Sequence, residues 1–270
     1  MTHSEKVALW LGPFRSATAS RDFGVEIGAF KSPVPGIRPF YVDRFREYAN
    51  ERCMGDFWGD ACSLPFLGNS LDYVVTSHVL EHTANPVAAL FEWARVVRHG
   101  GIIYMVVPDR RLTFDHPRGL TPPEHMMEDF HRGTGNSDGT HIADYLDRID
   151  WTRYHPAGTP AEHAATREHL RVTYTAAAEN QLEINMHFHV FEPSNLGALI
   201  GLMNRDPGRT ARFEILDTVE NFPDERPDGF LMVVRVRKGL GAWWTGRKLR
   251  RLAAKDERAV LSPEAKPLFD

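Results

Sequence analysis

Cysteine is nearly missing. Cys53 and Cys62 are the only two in 270 residues, which leaves neither a disulfide framework nor a cysteine-only zinc site and fits a reducing cytoplasm. No basic-then-apolar leader precedes them, and apolar runs such as Gly101 to Pro108 fall far short of the roughly 20 residues that cross a bilayer. A surplus of positive charge is missing as well: 32 Lys and Arg stand against 36 Asp and Glu, a net charge of -4, which excludes a nucleic-acid binder held by bulk charge. There is no GxGxxG, and Gly28 to Asp43 is shorter than the roughly 20-residue spacing of that fingerprint, which disfavours a dinucleotide oxidoreductase. No compact metal signature such as HExxH occurs, so a divalent metal is allowed but not favoured.

What is present is unevenly spread. A hydrophobic fraction of 42% with 16 Phe can fill a full core. Nine of the 13 histidines lie between Asp109 and His189. From Lys238 onward eight Lys and Arg face four Asp and Glu, so a basic tail follows a more acidic body.

Short β-prone runs alternate with helical patterns. Phe23 to Gly28, Pro39 to Asp43, Leu71 to Ser77 and Gly100 to Pro108 read as buried parallel strands, and Pro86 to Val97 reads as an amphipathic helix with Pro86 in its first turn. The prolines and glycine between Ala29 and Pro39 make a helix there improbable and predict an irregular crossover. After the histidine-rich segment, Pro193 to Asn204 reads as a helix, and Ala211 to Val219 with Gly229 to Arg237 as an antiparallel hairpin. The predicted fold class is α/β, Rossmann-like: a seven-stranded, mostly parallel sheet with an antiparallel last strand and an inserted helical lid. The expected divisions are an N-terminal helix (1–21), a cofactor-binding half (22–110), a substrate-binding lid (111–190), a helix with the strand hairpin (191–238) and the tail (239–270).

Ligands bind such sheets at the carboxyl ends of the strands. Gly28 lets the chain turn close to a ligand, Asp43 offers a carboxylate to ribose hydroxyls, and Asp60 could hold an exocyclic amine, although each is also an ordinary turn residue. The stretch from Gly59 to Arg110, with its Asp-Ala-x-x-Leu-Pro-Phe and Ser-His-Val-Leu-Glu-His motifs, resembles the class I S-adenosylmethionine-dependent methyltransferases of the type 11 group. The resemblance implies S-adenosyl-L-methionine as cofactor, with Asp60, Ala61 and Cys62 at the adenine and Asp43 at the ribose. It also implies Glu26, Gly28, Ala29, Ser77 and His78 around the methionine portion. Phe30 stands where the family's second glycine is common, and the shortened crossover ending in VPGIRPFYVD is similar to a form found in methyltransferases of glycan loci.

Methyl transfer from a sulfonium asks the protein mainly to position the acceptor, and an alcohol acceptor must also lose a proton. Imidazole, with an ordinary pKa of about 6.5, can take it near neutrality. The candidates for that base are His141 first, then His187 or His189, which would point the same way if HFHVF were extended. Asp115, Arg118, His125 and Asp144 are the candidate substrate-binding groups. TFDHPR with the later HFHVF resembles the sugar O-methyltransferases of polysaccharide biosynthesis, including those of mycobacterial methylmannose polysaccharides, which implies a saccharide or glycoside hydroxyl as acceptor. The alternatives are a natural-product hydroxyl, amine or carbon, or a non-catalytic cofactor-binding protein of a membrane-associated assembly. The tail from Gly239 to Lys255, with Trp243 and Trp244 ahead of Arg247 to Arg251, would suit either a membrane surface or packing on the domain or a neighbouring subunit.

Overall fold

The computed structural model describes residues 2–16, 20–208, 210–253 and 256–269. The chain opens with α1 (His3–Trp10), closed at its start by a reciprocal capping box between Thr2 and Glu5. The helix is thus shorter than the stretch of 1–21 suggested, because Gly12 and Pro13 turn it into a single 3-10 turn, Gly12–Phe14.

Strands β1 (Gly24–Ile27) and β2 (Phe40–Asp43) follow, joined by turns without a helix. A small hairpin of β3 (Glu47–Tyr48) and β4 (Glu51–Arg52) precedes the two-residue β5 (Phe57–Trp58). Asp60 therefore lies beyond its strand, in a tight bridge with Ser63. Next come β6 (Leu71–Ser77), α2 (Pro86–Val96) and β7 (Val97–Pro108). Asn85 starts α2, its side-chain oxygen accepting the Ala88 N–H at 2.9 Å, and Pro86 occupies a first-turn position whose N–H has no helical partner.

The inserted segment carries α3 (Pro123–Arg132), α4 (Ile142–Arg148), the single turn α5 (Trp151–Tyr154) and α6 (Pro160–Glu179). Then α7 (Pro193–Arg205), β8 (Arg212–Phe222), β9 (Gly229–Arg237), α8 (Leu240–Ala253) and β10 (Lys266–Pro267) complete the chain.

The sheet has eight strands in the order β10-β5-β2-β1-β6-β7-β9-β8. Strands β5, β2, β1, β6 and β7 are mutually parallel, β9 runs antiparallel between β7 and β8, and β10 closes the other edge antiparallel to β5. The eighth strand exceeds the seven that the sequence suggested and comes from the tail, whose Val260 and Leu268 are fully buried. The basic tail is thus built into the fold and protects an otherwise open edge. Among the described residues no helix is long and apolar enough to cross a membrane.

Two hydrophobic layers cover the sheet. One, with Leu90, Trp93, Leu196 and Leu199, joins α2 and α7 to one face; the other packs Val7 and Leu11 against Tyr73, Tyr104 and Val233. The insertion has its own small core of Ile142, Tyr145, Leu146, Ile149, Met186 and Phe188 around Ala84. Polar bonds stitch it to the loop after β6: Asn136 accepts the Ala84 N–H at 2.9 Å and donates to the His82 carbonyl at 3.0 Å, while the Phe188 N–H donates to the Glu81 carbonyl at 2.8 Å. The histidine-rich segment is thereby held at the carboxyl end of β6.

Candidate active site

A cavity of about 390 Å³ opens at the carboxyl ends of β1, β2, β5 and β6. Glu26, Gly28, Ala29, Asp43, Ala61, Ser77 and His78 line it together with Arg44, Phe45, His82 and Asn185. Gly28 has φ +69°, and a Cβ there would come within 2.8 Å of Val79, so both backbone and space call for glycine. Phe30, at φ +48°, takes the next left-handed position. Its ring meets Tyr48 edge-on at 5.7 Å on the cavity wall.

The carboxylates of the site differ in state. The two Glu26 oxygens accept the Val34 N–H at 2.9 and 3.2 Å, yet burial dominates and pushes the group up to about 7. Burial also raises Asp43, against the pull of the Phe45 and Arg44 backbone N–H groups and the Arg44 charge. Asp60 is committed locally, accepting the Cys62 N–H at 2.7 Å and pairing with Arg44 at 3.3 Å, and does not line the cavity. The Cys62 thiol is raised by burial and by Asp60, which keeps it protonated and unreactive. Arg44 also pairs with Glu183, tying this loop to the end of the insertion.

Two histidine clusters lie behind the far wall. In the first, His187 Nδ1 lies 2.5 Å from Asp115 Oδ2, and the His187 ring meets that of His82, a cavity-lining residue, edge-on at 4.7 Å. Burial would raise the Asp115 carboxyl, but the His187 bond, then the His187 and Arg118 charges, outweigh it and hold the group below its ordinary value. Arg118 is fully buried and spends its guanidinium on Asp115 (2.7 Å), Asp144 (3.0 Å) and the carbonyls of His187 (2.9 Å) and Phe188 (3.3 Å). It holds Asp115 beside His187, and its donors are already engaged within the protein. Glu81 is buried beside His78 and His82, at 3.6 and 3.8 Å, with neither carboxylate oxygen hydrogen-bonded. Burial lowers His82 to about 4, so this imidazole is neutral near pH 7.

The second cluster gathers His125, Asp129, His141 and His189. His141 Nε2 lies 3.1 Å from His125 Nε2, and its Nδ1 lies 3.1 Å from Thr140 Oγ1. Both nitrogens of the first-choice base are therefore engaged; neither His141 nor His187 lines the cavity, but His187 packs directly against the cavity-lining His82. His189 is fully buried, its Nε2 donating to the Ala84 carbonyl at 3.0 Å. The 187–189 segment is not a regular strand, which is how His187 and His189 come to serve different clusters. Burial lowers both His141 and His189.

Sequence reasoning passed over Glu81, His82, Arg44 and Asp129. His82 and Glu81 stand inside the SHVLEH motif, and Asp129 follows His125 by four residues on α3, the spacing that places two side chains on one helical face.

The sheet and its strand-end cavity define a Rossmann-like α/β protein. Residues 41–105 match the family described as Methyltransferase domain, which takes in β2 to the middle of β7 and one side of the cavity. Over 60 residues the chain is 45% identical to an uncharacterized 37.1 kDa protein in a Streptomyces fradiae transposon, a match that spans 22% of this chain and 17% of that protein. Among solved structures, it is similar to a SAM-dependent methyltransferase of Thermotoga maritima described as a possible histamine N-methyltransferase, at 15% identity and a TM-score of 0.41 over 87% of this chain and 95% of that one. A SAM-dependent methyltransferase of Methanosarcina mazei is similar at 14% identity and a TM-score of 0.42, over 85% and 97%.

Proposed function

We propose that this protein transfers a methyl group from S-adenosyl-L-methionine to a hydroxyl of a saccharide or glycoside, with His187 as general base. The methyltransferase part rests on the match of residues 41–105 and on a cavity at the strand ends of a β5-β2-β1-β6-β7 parallel sheet. When bound, the cofactor supplies an electrophilic methyl on a sulfonium. Asp43, at the end of β2, would accept the ribose hydroxyls, Glu26 would face the methionine ammonium, and Gly28 leaves room for a ligand beside the backbone.

The observation that carries the choice of base is the Asp115–His187 pair at 2.5 Å beside His82. A carboxylate on Nδ1 fixes the tautomer, leaves the Nε2 lone pair to take a proton, and stabilises the imidazolium once formed. Neutral His82 on the cavity wall and Asn185 beside it offer hydrogen bonds to a hydroxylated acceptor. An amine acceptor that is already free needs no such base, which is why oxygen is preferred over nitrogen.

Incubation with isotopically labelled cofactor and a panel of free and partly methylated oligosaccharides, read by mass spectrometry, tests the reading. A labelled methyl on a sugar oxygen supports it. Transfer confined to amines or carbon, or to no member of the panel while the cofactor binds, removes the sugar acceptor.

A further inference from the structure

We propose that His125, Asp129, His141 and His189 form a binding site for one divalent zinc-type metal ion that fastens the inserted segment to the sheet. One ligand atom from each residue lies within 4.8 Å of those of the others. His125 Nε2 is 3.1 Å from His141 Nε2 and 3.3 Å from Asp129 Oδ2, and Asp129 Oδ2 is 3.7 Å from His141 Nε2; His189 spends its Nε2 on the Ala84 carbonyl and has the buried Nδ1 to offer. Ligands bonded to zinc at about 2.0–2.1 Å in a tetrahedron stand about 3.3 Å apart, the spacing these atoms approximate.

The polar atoms of the cluster are unsatisfied in the way an ion would satisfy. Asp129 is wholly buried, and its Oδ2, pointing into the cluster, has no hydrogen-bond partner. Such an oxygen costs stability unless a cation or donor meets it. His189 Nδ1 is likewise buried without a partner.

The surroundings are those of oriented ligands. Asp129 Oδ1 takes the Thr134 hydroxyl at 3.0 Å and Arg132, which turns Oδ2 inward. Thr140, held by Asp138, stands at His141 Nδ1 and turns Nε2 toward His125 and Asp129. The Ala84 carbonyl takes one His189 nitrogen and fixes its tautomer. Imidazoles with one carboxylate, and no thiolate, suit zinc better than magnesium or calcium.

The ligands come from α3, from the start of α4 and from the segment before α7, and Ala84 belongs to the loop after β6. One ion thus joins three parts of the insertion to the cavity wall. This inference does not depend on the methyltransferase reading.

The full chain, stripped with chelator and retitrated with Zn2+, is to be followed by calorimetry, elemental analysis and thermal melting, with S-adenosylhomocysteine binding read separately. The wild type is expected to take up one Zn2+ per chain and melt at higher temperature with it, with no comparable response to Mg2+. His141→Ala is expected to abolish uptake. Thr134→Val and Thr140→Val keep all four ligands and should fold, and each should weaken Zn2+ binding by about 10- to 100-fold. A folded wild type that takes up no Zn2+ overturns the proposal. So does uptake lost in His82→Ala and kept in His141→Ala, which would move the ion to the Glu81, His82 and His187 group.

Discussion

Two histidine clusters sit a few residues apart in sequence and differ in what their nitrogens face. His187 gives one nitrogen to Asp115 and stands behind the cavity-lining His82, whereas His125, His141 and His189 turn toward one another and toward an unpaired oxygen of Asp129. The first arrangement can move a proton and the second can hold a cation. In the proposed scheme the same residue type, concentrated in one insertion, would serve chemistry in one place and attachment in another, and the carboxylate beside it would make the difference. Asp115 is engaged by His187 and by buried Arg118, while Asp129 keeps one oxygen free.

The largest effect that would sharpen this contrast is on turnover. His187→Ala should lower the methyl-transfer rate by about 10²- to 10⁴-fold without altering S-adenosylhomocysteine affinity. Retention of full rate in that variant would break the assignment. Asp43→Ala should do the reverse, weakening cofactor binding by roughly 10- to 100-fold through loss of charge-assisted hydrogen bonds, as read by calorimetry.

Acid separates two carboxylates of opposite sign. Glu26 is raised from 4.5 to about 7, so its contribution favours the folded apoprotein at low pH and is lost as pH rises toward about 7. A bound ammonium prefers the ionised form, so S-adenosylhomocysteine affinity should climb between pH 6 and 8, by up to about tenfold per unit, and Glu26→Gln should flatten the climb. Asp115 is lowered, so what it adds to stability is present above its unfolded value of 3.8 and disappears as pH falls through its lower folded value. Thermal melting of wild type and Asp115→Asn between pH 2 and 7 should converge at the acid end.

The smallest expected effect concerns the tail. Charge reversal at Lys248 should leave the melting temperature unchanged, and the protein is expected not to co-sediment with anionic vesicles, since α8 leads into buried Val260 and Leu268 at the sheet edge. Co-sedimentation of the wild-type protein with vesicles would restore a membrane role. Trp244 is exposed on this helix, and the Trp243 side chain lies outside the described residues.

The parts that could be read from sequence are those whose pattern is repetitive. Leu71–Ser77 and Gly229–Arg237 are short, β-prone, mostly apolar runs, and both fold as strands over those residues. The two-residue strands Phe57–Trp58 and Lys266–Pro267 carry no period and exist only because each borders another strand, so the eighth strand could not be foreseen. At the site, strand-end positions placed Glu26, Gly28, Asp43, Ser77 and His78 on one cavity. Inside the insertion, pairings such as His187 with Asp115 join residues 72 positions apart, and no local spacing reveals them. Counting histidines located the region; only packing decided which one meets a carboxylate.

Methyl transfer at this site requires first that the strand-end cavity hold the cofactor. Calorimetric titration of the purified chain with S-adenosylhomocysteine, run in parallel on Asp43→Ala and His187→Ala, tests this most directly. Binding at one site per chain is expected in the wild type and in His187→Ala and should be strongly weakened in Asp43→Ala. A folded wild-type protein that binds none, or binding untouched by the loss of Asp43, would contradict it.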